Sequence, residues 1–230
     1  MSPVETSTVL VPRAQGAETM ESFYARPAGN APRPGVVVIH EISGLNDNIR
    51  GLASRFAGEG YAALAVNLFA NRSRVLCMLQ AFYGIMLRPL DNPMLDDLNA
   101  TLAFLRQQDN VDAQRIGVVG FCFAGAYALQ LAVTDKGMKA ASVFYGANPK
   151  PLDVMAQACP IVGSYPDKDF TTPAARALEA ALTEYKVPHD IKIYDNTAHS
   201  FFGRQRTPAE AAAAQDAWQR MLTFFGEHLK

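Results

Sequence analysis

The sequence predicts an α/β fold: a central, mostly parallel sheet with helices on both faces and an antiparallel hairpin at its N-terminal edge. Three observations predict it. Short, continuous apolar runs such as VVVI at 36–39 and AALAV at 62–66 recur along the chain, as strands buried on both faces require. Segments with apolar residues at i, i+3, i+4 and i+7 alternate with those runs, so strand, helix, strand crossovers and parallel pairing follow. With 230 residues, 49% of them apolar, and no Ser/Gly-rich or charged linker, the chain reads as one domain over residues 1–230 around one core.

Taken in order, residues 6–11 and 19–25 are extended patterns around a turn at Gly16, and they predict the edge hairpin. After Pro32 and Pro34 comes the strand at 36–39, which empties into the polar stretch His40-Glu41-Ile42-Ser43-Gly44-Leu45-Asn46. Residues 48–60 put Ile49, Leu52, Ala53 and Phe56 on one helical face and stop at Gly60. The strand at 62–66 completes a βαβ unit. Residues 67–93 carry Arg72, Arg74 and the apolar run 75–87. As a helix, that run is apolar nearly all round and requires cover on both sides: as an ordinary core helix, as a lid over the crevice, or as a subunit contact. Residues 95–107 are a plainer amphipathic helix. Strand patterns return at 116–119, 140–145, 160–164 and 190–194. Leu178, Ala181, Leu182 and Tyr185 mark the helix before the last strand, and Trp218, Met221, Leu222 and Phe225 dock a closing helix on the sheet.

Composition narrows the function. The net charge is -1 and no Lys/Arg cluster forms, so neither nucleic acid nor an anionic membrane is an expected partner. The run 75–87 is interrupted by Gln80 and Gly84 and is too short to span a bilayer. Three cysteines, an odd number, suit a reducing compartment, and the opening MSPVETSTVL lacks the parts of a secretion signal; the chain is expected in the cytoplasm. No histidine stands at metal-binding spacing, and neither metal nor cofactor is expected. Small-molecule chemistry by a monomer or small homo-oligomer remains.

That chemistry centres on RIGVVGFCFAGAYALQL, residues 115–131: a short strand, a tight turn with Cys122 at its tip, and an alanine-rich helix. Gly120, Ala124 and Gly125 supply the small residues such a reversal needs, giving G-x-C-x-A-G, a nucleophile elbow with cysteine in place of serine. The turn projects the side chain, the helix N-terminus favours thiolate, and the Phe123 N–H points where a carbonyl oxygen could sit. Cys77 and Cys159 read as space-filling residues.

Other candidates follow other strands. Glu41 comes immediately after a buried strand, where the crevice of a doubly wound sheet opens; alternatively it satisfies loop N–H groups or caps the next helix. Asp167 and Asp169 both follow the strand at 160–164, and His199 follows the strand at 190–194. Cysteine, acid, histidine in that order is the α/β-hydrolase arrangement, in which His199 takes the thiol proton and the acid fixes its tautomer. The residues do not separate Asp167 from Asp169. His40 reads as structural, while His189 and His228 fall away from the crevice.

Five motifs in order resemble the dienelactone hydrolase (carboxymethylenebutenolidase) family: VIHEISGLN its HEIxGxN loop, VGFCFAG its VG[YF]C[LF]GG elbow, VFYG its YYG, DKDFTTP its xxDxxxP acid loop, and TAHSFF its AGHSF loop. The resemblance implies that Asp169 is the acid, that Glu41 contacts and helps activate Cys122, and that the Ile42 and Phe123 N–H groups form the oxyanion hole. It also implies a substrate site involving Tyr145 and arginines that bind a carboxylate. Here VNLFANRSR stands where the family has PDLYAR, leaving Arg72 or Arg74, and Gly203 intervenes before Arg204. The expected activity is hydrolysis of a lactone or small ester through an acyl-cysteine. The alternatives are a broader carboxylesterase or thioesterase with apolar acyl groups under the 75–87 cover, and a non-catalytic binding or redox-sensing protein on the same scaffold, with Cys122 as its oxidisable thiol.

Overall fold

A computed structural model describes residues 3–229; Met1, Ser2 and Lys230 lie outside the described residues. Its eight strands are β1 (Val4–Pro12), β2 (Thr19–Pro27), β3 (Arg33–Ile39), β4 (Ala62–Val66), β5 (Val111–Phe121), β6 (Met138–Phe144), β7 (Ile161–Lys168) and β8 (His189–Ala198). They form one sheet in the order β1-β2-β4-β3-β5-β6-β7-β8. The expected hairpin lies at one edge, with β1 antiparallel to β2 and β2 antiparallel to β4. Every other pairing is parallel. The apolar runs behave as predicted: Val36 to Ile39 and all of β4 are buried, since helices cover both faces there.

On one face lie α1 (Asp47–Gly58) and the closing helix α7 (Pro208–His228). Phe56 of α1 packs against Trp218 and Phe225 of α7 with ring centroids 4.9 and 6.3 Å apart. The other face carries α2 (Arg74–Met86), α3 (Pro93–Arg106), α4 (Phe123–Thr134) and α5 (Thr172–Glu184). The central helix α4 is buried from Phe123 to Val133, which explains its lack of any polar stripe. A short helix, α6 (Phe201–Arg204), follows β8. Among the described residues no helix is long and apolar enough to cross a membrane.

The edge hairpin is tied down by a buried ion pair that local pattern does not show. Arg13 Nη1 donates to Asp97 Oδ2 of α3 at 2.5 Å, and Nη2 donates to the Ala70 carbonyl at 2.7 Å. One guanidinium thus fastens β1 to α3 and to the loop after β4.

The predicted cover over residues 75–87 is only half present. Cys77, Ala81, Gly84 and Ile85 are buried against the neighbouring helices, but the larger apolar side chains of α2 face solvent.

Candidate active site

Parallel pairing brings the candidate residues together by aligning strand ends. Ile39 pairs with Gly120, and Phe121 with Phe144. Glu41 stands two residues beyond Ile39, Cys122 two beyond Gly120, and Tyr145 one beyond Phe144. Lys168 pairs with Ala198, so Asp169 and His199 leave the sheet side by side. Between the pairs Pro166/Tyr194 and Lys168/Ala198 the register shifts, and β8 holds two extra residues. Such a bulge re-aims the side chain that follows it. Asp167 fixes this one, its Oδ1 accepting from the Thr197 N–H at 3.0 Å.

Asp169 points instead at the histidine. The His199 Nδ1–H donates to Asp169 Oδ2 at 2.6 Å, and the Asp169 side chain is 1% exposed. The two acids that the residue pattern left open are therefore distinguished by their partners. Two aromatic rings neighbour His199: Tyr145 at 4.9 Å and Phe170, nearly parallel, at 5.2 Å. From the other side Arg206 donates to the His199 carbonyl at 2.8 Å and to buried Glu210 at 2.7 Å. Glu210 also accepts from the Ala198 N–H at 3.3 Å, so its carboxylate holds both ends of the histidine turn.

At the elbow Cys122 adopts φ 59° and ψ -122°, a region that costs a non-glycine residue about 1–3 kcal/mol. Its N–H donates to the Phe144 carbonyl and its own carbonyl accepts from Gly125, both at 3.0 Å. The small residues are needed for contact: a Cβ at Gly120 would lie 2.1 Å from the Ala124 carbonyl oxygen, and one at Gly146 would lie 2.5 Å from the Gly125 carbonyl carbon. Phe123 opens α4, as the reversal predicted.

The electrostatics correct one expectation. The helix N-terminus was predicted to favour thiolate, yet burial raises the Cys122 pKa, and the Glu41 and Asp169 charges raise it further against the opposing Phe123 N–H. Glu41 is also pushed up by burial, opposed by the Tyr145 hydroxyl, which donates to its Oε1 at 3.2 Å, and by His199 and Arg204. Tyr145, fully buried and at φ 42°, is raised well above its ordinary value by burial and by Glu41. Hydrogen bonds run from Tyr145 to Glu41 and from His199 to Asp169; among the described residues none joins the thiol to the imidazole.

His40 is structural, as expected: burial lowers its pKa to about 4, and its Nε2 accepts from the Leu68 N–H at 3.1 Å. Among the described residues no group of three His, Cys, Asp or Glu side chains could hold a metal ion.

A cleft of about 530 Å³ opens beside Glu41, lined by Ser43, Asp47, Leu52, Phe202 and Arg204 among others. It lies toward the N-terminus of α1; Glu41, Phe121 and Ser200 line it, whereas Cys122, Asp169, His199 and the residues of 75–87 do not. Of the three arginines considered, Arg204 faces this cleft. Arg72 does not: its guanidinium is paired with Glu18 at 3.0 Å. Arg74 donates to the carbonyl of Ile42 and so braces the loop after β3. Ile42 itself is exposed, directly beyond Glu41.

Sequence reasoning passed over Phe170 and the Arg206–Glu210 brace. The brace carried a signal, because Thr207-Pro208-Ala209-Glu210 is a capping-box pattern. Thr207 does accept from the Glu210 N–H at 3.1 Å, while the Glu210 side chain turns to the Arg206 N–H at 2.7 Å instead of reaching back to Thr207.

Comparison with known proteins gives a consistent answer. The profile of the dienelactone hydrolase family matches residues 20–229. A Synechocystis sp. protein provisionally named carboxymethylenebutenolidase is 32% identical, with 99% of each chain covered. A Saccharolobus solfataricus protein with the same provisional name is also 32% identical, over 89% of this chain and 93% of its own. The crystal structure of a provisionally named dienelactone hydrolase from Klebsiella pneumoniae superposes with a TM-score of 0.81 at 27% identity, covering 98% of this chain and 99% of that one. A dienelactone hydrolase-like promiscuous phosphotriesterase from metagenomic libraries gives 0.84 at 25%, with 99% of each chain covered. With its fold, its strand-end cluster and a profile match over nearly its whole length, the chain belongs to the dienelactone hydrolase family.

Proposed function

We propose that this dienelactone hydrolase-like protein opens a lactone or small carboxylic ester through an acyl-cysteine on Cys122, with His199 carrying protons and Asp169 orienting it. The observation that carries the reading is the strained backbone of Cys122 at the junction of β5 and α4; a thiol that only filled space would gain nothing from it.

The Sγ proton passes to His199 Nε2, whose Nδ1–H is already committed to Asp169, as sulfur bonds to the carbonyl carbon. The carbonyl electron pair moves to oxygen, which the N–H groups of Ile42 and Phe123 receive. The pair returns, the C–O bond breaks, and the departing oxygen takes the proton from His199; in a lactone it remains tethered as a hydroxyl. Water then loses a proton to His199 and attacks the thioester, releasing the acid and restoring the thiol. Glu41, held by Tyr145, assists removal of the thiol proton. The thiol meets the imidazole when substrate binds at Cys122, since such contacts commonly tighten only in the complex.

Arg204, in the cleft beside Glu41, is the proposed partner for a substrate carboxylate. The test is hydrolysis of cis- and trans-dienelactones, neutral esters and thioesters by the wild type and four variants. Cys122→Ala is expected to abolish turnover, whereas Cys77→Ala and Cys159→Ala leave it nearly intact. Arg204→Ala is expected to raise KM for anionic lactones about tenfold or more, as loss of a charge-assisted contact does, with little effect on neutral esters. Unchanged lactone kinetics in Arg204→Ala would remove the anionic substrate from the proposal.

A further inference from the structure

The helix α2 is built inside out. Its packed face holds the small residues Cys77, Ala81 and Gly84 together with Ile85. A Cβ on Gly84 would lie 2.6 Å from the Tyr127 hydroxyl, which donates to the Ala81 carbonyl at 3.1 Å. Small side chains thus let α2 sit close on α4. The opposite face carries Val75, Leu76, Leu79, Phe82, Tyr83 and Met86, each 49–68% exposed, and Leu87 just beyond is more exposed still. A surface helix ordinarily turns polar residues outward, but here Gln80 is the only polar residue between Val75 and Met86 apart from Tyr83.

We infer that this face is the contact between two copies of the chain, paired helix to helix across a two-fold axis. Spacing supports a helix as the occupant: 75, 79, 82 and 86 step by four, three and four, the a/d seam that helix pairs use. Size supports a stable interface. From their exposures these side chains leave roughly 700 Å² of surface in water, above the ~300–600 Å² of a typical monomer's largest patch and near the ~800 Å² each partner contributes to a standard interface. Charge selects the second copy: the face carries none, so it offers nothing to an acidic or basic partner, whereas an isologous contact needs only a patch that matches itself. A bilayer is disfavoured because interfacial helices surround their apolar face with free Lys and Arg. Here the flanking arginines are engaged, Arg74 with the Ile42 carbonyl and Arg88 with Asp91.

Sedimentation velocity at micromolar concentration tests this on the full chain. The wild type is expected to sediment at twice the 25.0 kDa chain mass, and Leu79→Glu/Phe82→Glu as a monomer with its thermal melt and ester turnover kept. Leu79→Ser/Phe82→Ser, milder at the same exposed positions, covers the case in which the charged pair disturbs folding, and it should weaken dimerisation at least tenfold. A monomeric wild type would overturn the inference, and its flotation with neutral or anionic vesicles would assign the face to lipid. A charged double variant that still dimerises would equally overturn it, placing the contact elsewhere.

Discussion

Cys122 and His199 could be read from sequence because each directly follows a strand, and a strand's end fixes where the next side chain can go. Asp169 could not be separated from Asp167 that way. Both occupy one loop, and the choice between them is made by a bulge in β8, a neighbouring strand thirty residues downstream. Helix-terminus reasoning about the thiol is local too, while burial and the carboxylates that oppose it, Glu41 and Asp169, come from the folded chain and arrive from β3 and β7. His40 offers a test at this scale. Its pKa is about 4 in the folded protein and near 6.5 when unfolded, so between those values the unfolded chain binds the extra proton. The stability it protects is fully present above about pH 6.5 and is lost as pH falls toward 4, by about 3 kcal/mol. In urea denaturation across this range, the advantage of wild type over His40→Gln should shrink by about that amount on acidification. A constant difference would mean that His40 does not titrate in this way.

At the scale of elements, apolar period identified the eight strands and the longer helices but missed the short α6 and could not say which way α2 faced. A helix apolar all round has two candidate inner faces, and the structure packs the one with small residues at 77, 81 and 84 and leaves the large ones at 79, 82 and 86 in water. Long-range polar fasteners such as Arg13 to Asp97 leave no mark on local pattern at all. The Arg206–Glu210 brace lies between these cases, since its capping motif is local but its grip on the histidine turn is not. Glu210 is held below the usual carboxylate range chiefly by Arg206, so the brace is intact at neutral pH and loosens as pH drops through that lowered value. Glu210→Gln is expected to lower kcat about ten- to a hundredfold through misplacement of His199, with KM little changed. Steady-state kinetics beside a thermal melt will check this; a lower melting temperature with unchanged kcat would make the brace purely structural.

For the molecule as a whole, the mostly parallel sheet and its antiparallel edge were legible because each buried strand has a recognisable run and strand-helix-strand units pair in parallel, whereas the strand order rests on pairings that no local run encodes. Strand order in turn assembles the site, since parallel strands deliver Glu41, Cys122, Tyr145, Asp169 and His199 to the carboxyl end of the sheet from five separate loops. The cleft beside Glu41 was not legible, because its walls combine the loop after β3, the start of α1 and the unpredicted α6. The central claim is that the acyl group passes through the sulfur of residue 122. Acid-quenched peptide mass spectrometry during turnover of an aryl ester, run on wild type and Cys122→Ala, tests it most directly. The account predicts an acyl adduct confined to the peptide containing Cys122, and neither adduct nor turnover in the variant. An adduct on another residue, or ester hydrolysis persisting in Cys122→Ala, would contradict it.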